Sequence, residues 1–396
     1  MKNQKFYEIT DKIKIALFAG LVVIFFVIGL LFFLRPTLSD TEKRELTKFP
    51  TFTVESFISG EWTSQVSLWF ADTYPLREMM IGANYSIEEL YGFRDEVVKV
   101  DAYVANDTAY QYYTFNEAQS KRYAELINKL SASLEGKAND YDMVVPLHNQ
   151  VSPLRDSLIA KNPKASDGKA SIDYIYNKLS SNVTSVDAYS EMLQHNDEYL
   201  YYRTDHHWTA RGAYYAYVAF CKEKGITPTP LSSYQRLQFD GFLGTLYAEH
   251  GQPQDMKNNP DYVEAFVPIG VNEETVYDRN GTKINELAIL YTNADKYTAG
   301  NKYLAFIGGD QPLIEIHNPQ MGDGSSIVIV KESYGNAFVP FLVDSYEYVY
   351  VIDYRHWSGD LADFVTQKGI DDVLFLNVIN VTSTKARIDE LEQIIK

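Results

Sequence analysis

Hydrophobic and polar positions give the chain three stretches of different texture. From Ile15 to Leu34 the run IALFAGLVVIFFVIGLLFFL holds 20 residues without a charge, the length that crosses roughly 30 Å of hydrocarbon. Lys2, Lys5, Lys12 and Lys14 precede it, which predicts a cytoplasmic N-terminus over 1–14, a transmembrane signal anchor over 15–34 and an extracytoplasmic body after Arg35. A cleaved signal peptide is the competing expectation. Its apolar core is shorter and ends at small residues, whereas this run ends Phe32-Phe33-Leu34-Arg35-Pro36. Residues 35–95 read as a juxtamembrane segment of short helices, one of them from Pro75 to Tyr91.

From about Val97, apolar runs of strand length alternate with segments of helical period, the texture of an α/β domain over 96–396. Strands are predicted at Asp142 to Leu147, Tyr199 to Arg203, Tyr303 to Ile307, Ile327 to Lys331, Tyr346 to Ile352 and Val373 to Asn377. Helices are predicted at Asn116 to Leu134, Ser171 to Leu179, Thr209 to Lys224 and Lys385 to Ile395. Between Pro228 and Asn301 the chain is rich in Asn, Asp, Gly and Pro and reads as an insertion of irregular or short β structure at about 228–301.

Charge narrows the function. The 396 residues carry 36 Lys+Arg against 53 Asp+Glu, a formal charge of −17. Beyond Leu34 the balance is 32 against 51, or −19. Nucleic-acid binding is excluded as a class, because phosphate backbones are held by a surplus of Lys and Arg. Cys221 is the single cysteine, so neither an intramolecular disulfide nor a cysteine-rich metal site is available. An acidic body without disulfides on the outer side of a membrane suits a bacterial surface.

Two segments carry chemistry. In Arg203-Thr204-Asp205-His206-His207-Trp208-Thr209 a strand-like run stops and a helix begins, with Thr209 as its cap. Positions i and i+2 of an extended stretch share a face, so Asp205 and His207 can meet while His206 points elsewhere. A carboxylate beside an imidazole fixes its tautomer and stabilises the imidazolium. The same residues would also serve as a pair of locally satisfied histidines, or as two ligands of a metal, although a metal wants a further ligand nearby. In Ile327-Val328-Ile329-Val330-Lys331-Glu332-Ser333-Tyr334-Gly335-Asn336 a buried-type strand breaks into a polar turn before a helix. Ligands of α/β sheets bind beyond the carboxyl ends of strands, where helix N-termini present free N–H groups. Ser333 sits at such a point. Alone it reads as a helix cap; with an Asp-x-His as a source of a general base it reads as a nucleophile. Its own N–H and the Asn336 amide are candidate oxyanion donors. His148, His195, His250, His317 and His356 lack an acid at useful spacing and read as structural.

Asp205-His206-His207-Trp208 resembles the signature of the DHHW family of bacterial envelope proteins, relatives of the alginate O-acetylases AlgX and AlgJ with an SGNH-hydrolase-like domain. Lys331-Glu332-Ser333-Tyr334 resembles the family's Lys-Asp-Ser-Tyr nucleophile turn, with Glu332 in place of Asp. The resemblance extends through Phe306-Ile307-Gly308-Gly309, through Val351-Ile352-Asp353-Tyr354-Arg355, and through Ser39, Glu42, Arg44, Leu46 and Asp72-Thr73-Tyr74-Pro75-Leu76-Arg77.

It implies an SGNH-hydrolase-like three-layer α/β domain with a circularly permuted motif order, and a triad of Asp205, His207 and Ser333. Asn336, Gly309, Tyr334, Arg203 and Arg355 are the outer candidates for oxyanion or substrate binding, Gly309 through its backbone N–H. No metal or cofactor is expected. It further implies an extracytoplasmic O-acetyltransferase forming an acetyl-Ser, with an esterase and a non-catalytic polysaccharide-binding assembly factor as alternatives. A polytopic membrane-bound O-acyltransferase is the implied acetyl donor. The acidic body should repel a densely anionic polymer, which points to a neutral exopolysaccharide, such as a cellulose-like glucan, as the substrate over alginate.

Overall fold

The computed structural model describes residues 2–29, 35–39, 44–58, 60–75, 77, 79–80, 97–98, 102–105, 107–161, 165–270, 272–278, 280–285 and 288–396. They fall into two compact units, Met1–Arg94 and Asp95–Lys396.

In the first unit α1 (Lys2–Gly29) contains most of the uncharged run. Among the described residues no helix is long and apolar enough to cross a membrane; residues 30–34 of the expected span lie outside them. Two short helices follow, Val54–Ile58 and Glu61–Asp72. Asp72 accepts hydrogen bonds from the N–H and the hydroxyl of Thr47, both at 2.8 Å. Most of the helix expected from Pro75 to Tyr91 lies outside the described residues.

The second unit is built on one mixed sheet. Its strands are β1 (Asn139–Val145), β2 (Val183–Ser185), β3 (Glu273–Tyr277), β4 (Lys283–Asn285), β5 (Leu313–His317), β6 (Ser326–Lys331), β7 (Tyr348–Asp353) and β8 (Asp372–Val378). They lie in the order β4-β3-β5-β7-β6-β8-β1-β2. The five from β7 to β2 are parallel, and β5, β3 and β4 extend one edge antiparallel. Residues Ile327 to Val330 of β6 are completely buried, because a central parallel strand is covered on both faces and reads as a continuous apolar run. Each such side chain contributes about 1.5–3 kcal/mol by leaving water.

Neighbouring residues of a strand point to opposite faces, and β1 uses this to hold two helices. Tyr141 meets Phe220 of the helix Ala210–Lys224, ring centroids 5.2 Å apart. Asp142 accepts a hydrogen bond at 2.6 Å from Tyr123 of the helix Glu117–Ser133. Labelling Glu117–Ser133 α2 and Ala210–Lys224 α3, the sheet therefore lies between them as the middle of three layers. Asn116 caps α2 by accepting the Gln119 N–H, Thr209 caps α3 by accepting the Gly212 N–H, and Gly225, at φ 75°, closes α3.

Two expected strands take other forms. Tyr199 to Arg203 makes only an isolated bridge, Tyr201 to Trp208, and Tyr303 lies in a 3-10 segment, Ala299–Ala305. Both are short Tyr-rich apolar runs, which packing against any element can bury. The segment expected as an insertion is woven into the domain. Gln235–Phe242 pairs with Asp261–Val267 in an antiparallel hairpin, and β3 and β4 join the main sheet.

Candidate active site

β6 ends at Lys331 and the chain turns through Glu332, Ser333 and Tyr334 into α4 (Gly335–Leu342). The turn is fastened at both ends of its backbone. Glu332 accepts the N–H of Tyr334 and that of Val378, each at 3.1 Å, tying the turn to the end of β8. Burial pushes the Glu332 carboxyl up, against the pull of Arg355 and these two N–H groups. The Tyr303 hydroxyl donates to the Ser333 carbonyl at 3.0 Å. The Trp208 indole donates to the Tyr334 carbonyl at 2.9 Å, and the Tyr334 hydroxyl donates to the His206 carbonyl. Tyr334 thereby clamps the serine turn to the Asp205–Trp208 segment, and its buried ring is closed to solvent. Ser333 stays partly open while its neighbours are buried.

The Asp205 segment is held by residues far along the chain. Thr204 donates its N–H and hydroxyl to one Asp261 oxygen at 2.8 and 2.7 Å. Asp205 uses all its acceptor capacity: Oδ2 takes the N–H and hydroxyl of Thr245 at 2.8 and 3.1 Å, and Oδ1 takes the backbone N–H of His207 at 2.9 Å. Gly244 leaves room for it, since a Cβ there would lie 2.2 Å from the Asp205 side chain. Burial opposes the charge on Asp205, but His207, His206 and the Thr245 N–H overcome it and hold the carboxyl well below the usual range.

The three side chains then form one hydrogen-bonded line. Asp205 Oδ1 lies 2.6 Å from His207 Nδ1, and His207 Nε2 lies 2.8 Å from Ser333 Oγ. With Asp205 ionised, Nδ1 carries the proton and Nε2 presents its lone pair to the serine hydroxyl. The imidazole is stacked on Tyr303, ring centroids 4.0 Å apart and planes 13° apart, which fixes its plane. His206 is not part of this line: its ring packs against that of His207, centroids 3.8 Å apart, and it pairs with the Thr245 hydroxyl.

The outer candidates divide. Asn336 is beside the serine turn, but its amide donates to Asp310 at 2.9 Å and its oxygen accepts from Lys331 at 2.7 Å. Arg355 reaches the same network, gripping Asp353 at 2.8 and 2.6 Å and Asp310 at 2.8 Å. Burial opposes ionisation of Asp310, but Lys331 and Arg355 hold its carboxyl well below the usual range. Gly309 departs from expectation: its N–H is spent on the Phe306 carbonyl at 3.0 Å. Ile307, Gly308 and Gly309 have φ of 48°, 66° and 85°, a left-handed run that needs glycine at two of its three positions and strains Ile307. Arg203 is also engaged elsewhere, by Asp107 at 2.6 Å, Asp261 at 3.0 Å and two carbonyls. The Ser333 N–H has no hydrogen bond to a described residue and is the free donor at the nucleophile turn.

Two clusters bring ligand atoms close enough to share a cation, Asp205-His206-His207 and Asp310-Asp353-His356. In the first, Asp205 is committed to His207 and Thr245; in the second, the acids are committed to Lys331 and Arg355. Sequence reasoning missed Tyr303, Gly244 and Thr245 as parts of the site. Nothing local marks them, and only their packing against Asp205 and His207 gives them a role.

Fold and site together define a mixed α/β protein whose Asp-His-Ser line stands at the carboxyl end of a central parallel strand. This chain belongs to the DHHW protein family, whose model matches residues 42–102 and 99–352. A DHHW family protein from Eubacterium siraeum is similar in structure at 30% identity, over 75% of this chain and 97% of its own, with a TM-score of 0.69. PatB1 of Bacillus cereus shares the fold at 19% identity, over 74% of this chain and 99% of its own, with a TM-score of 0.58. The O-acetyltransferase domain of Pseudomonas putida AlgJ aligns over 75% of this chain and 98% of its own at 14% identity, but its TM-score of 0.38 is too low to carry an inference. No curated protein matches the sequence.

Proposed function

We propose that this protein is a serine O-acetyltransferase of the bacterial cell envelope, with an SGNH-hydrolase-like site whose motifs run in the permuted order Asp205, His207, Ser333. The observation that carries the reading is the unbroken line from Asp205 through His207 to a partly open Ser333. Triads are recognised by geometry and not by chain order.

In this mechanism His207 Nε2 takes the Ser333 proton as Oγ forms a bond to the carbonyl carbon of an acetyl donor. The tetrahedral oxyanion accepts from the Ser333 N–H, with the second amide hydrogen of Asn336 as the other donor. Asp205 stabilises the imidazolium, which returns the proton to the leaving group as the bond to it breaks. The acetyl-Ser is then attacked by a glycan hydroxyl, whose proton passes to Nε2 and back to Ser333 Oγ. The uncharged run from Ile15 to Leu34 and the lysines before it support an anchored, extracytoplasmic domain. A membrane-bound O-acyltransferase is the donor partner in this scheme, because acetyl-CoA is cytoplasmic and the polymer outside. The net charge of −17 favours a neutral exopolysaccharide.

A product assay tests the reading. The protein is incubated with an activated acetyl ester and a neutral oligosaccharide, and acetylated sugar is expected in wild type with about 10⁴-fold less or none in Ser333→Ala. Acetate released with no acetylated sugar would make the protein an esterase. Undiminished activity in cells bearing Ser333→Ala would make it a non-catalytic assembly factor.

A further inference from the structure

A cavity of about 310 Å³, at the small end for a small-molecule site, is lined in part by the segment that leads into the candidate active site and shares none of its three principal residues. Its walls come from Tyr110 and from two segments, 148–154 and 196–203. The second segment is the incoming arm of the loop that carries His207. Tyr201 bridges to Trp208, and the Tyr202 N–H donates to the His207 carbonyl at 3.3 Å. The Cα atoms of Arg203, on the cavity wall, and Asp205 are at most about 7.6 Å apart.

Four of the lining residues, Tyr110, His148, Tyr199 and Tyr201, are aromatic. His148 stacks on Tyr201, centroids 5.1 Å and planes 6° apart, and meets Tyr110 at 4.7 Å. The Tyr201 hydroxyl is tied to the Pro146 carbonyl, so this ring is held in place. Every charged side chain in the lining is already matched. Glu198 accepts from Arg211 at 3.1 Å and from Tyr215 at 2.5 Å, and Arg203 is held by Asp107 and Asp261. Burial pushes His148 down to about 4, so it is neutral at physiological pH.

What remains unmatched is neutral hydrogen-bonding capacity. His148 Nδ1 bonds no described residue, but it is itself sealed off from the cavity. The Asn196 amide bonds no described residue, and the Ser152 hydroxyl accepts from the Leu154 N–H at 3.2 Å while donating to none. A charged ligand would find no free counter-charge here. A polyhydroxyl ring would find hydrogen-bond partners and an aromatic wall.

We infer that this cavity is a subsite for a neutral sugar residue of the acceptor glycan, remote from the hydroxyl that reacts; the inference rests on the function proposed above. Binding there would hold the polymer while Ser333 turns over, and would select against anionic chains.

Calorimetric titration of the full chain with cellotetraose tests it. Wild type is expected to bind, and Asn196→Ala and the cavity-filling Ser152→Trp to bind at least tenfold more weakly with circular dichroism unchanged. Asn196, which bonds no described residue, keeps the test meaningful if the tryptophan variant misfolds. Unchanged affinity in the folded variants, no binding by wild type at millimolar sugar, or equal affinity for an alginate tetrasaccharide would overturn the subsite. Labelling of Ser333 by a sulfonyl fluoride in the same preparation separates the two readings. Labelled protein that binds no cellotetraose sinks the subsite alone, and unlabelled protein that binds it sinks the acyl-transfer reading alone.

Discussion

The His207 imidazole has no freedom of plane, tautomer or position, and each restraint comes from a different residue. Tyr303 stacks on its face, Asp205 takes Nδ1, and Ser333 meets Nε2. Asp205 is in turn fixed by the Thr245 N–H and hydroxyl. Asp205→Asn keeps the shape but offers an amide that can donate to Nδ1 and favour the wrong tautomer. Turnover of an acetyl ester is expected to fall about 10⁴-fold, far more than stability falls in thermal unfolding. An activity loss under tenfold would mean that Asp205 only packs. At this scale the Asp-x-His and the serine turn were legible in the sequence, because two-residue spacing and a strand end are local properties. Gly309 was misread because adjacency in sequence says nothing about where an N–H is spent, here on Phe306, and the Arg203 guanidinium is likewise spent on Asp107 and Asp261.

At the scale of elements, the site depends on a loop forty residues from the motif it supports. Gly244 touches Asp205 so closely that Gly244→Ala must displace either the carboxylate or the loop. A shift of about 1 Å costs on the order of 10²-fold in rate, and overpacking about 1–3 kcal/mol. Steady-state kinetics of the folded variant should show the rate loss, and wild-type kinetics would remove the loop from the site. Strand β3 carries Glu274, 5% exposed, with neither carboxylate oxygen bonded to a described residue. Burial raises its pKa from 4.5 to about 7. The folded chain therefore holds this proton more tightly than the unfolded chain does. Its stabilising contribution is complete below about pH 4.5 and is lost as pH rises through 7. Glu274→Gln is expected to gain stability over wild type between pH 5 and pH 7, by up to about 1.4 kcal/mol per pH unit, as urea unfolding at several pH values would measure. A constant difference across that range would refute the burial. Continuous apolar runs announced β6 and β8, because parallel strands are covered on both faces. The hairpin and edge strands in 235–285 stayed hidden, because their short polar segments gain their form from pairing with distant partners.

At the scale of the molecule, an acidic chain with a net charge of −17 carries a site made from its own internal pairs. Asp310 and Asp353 are neutralised by Lys331 and Arg355, and Asp205 is held by hydrogen bonds from His207 and Thr245. The alternation of apolar runs with helical-period segments made the α/β class legible, and the acidic composition the exclusion of nucleic acid. It could not reveal which charges are paired. In the proposed mechanism Ser333 bears the acyl group. Brief exposure of the purified protein to an activated acetyl ester, followed by acid quench and peptide mass spectrometry, tests it most directly. One acetyl group on the peptide holding Ser333, absent in Ser333→Ala, is the expected result. Acetylation confined to lysines, or equal in wild type and the variant, would contradict it.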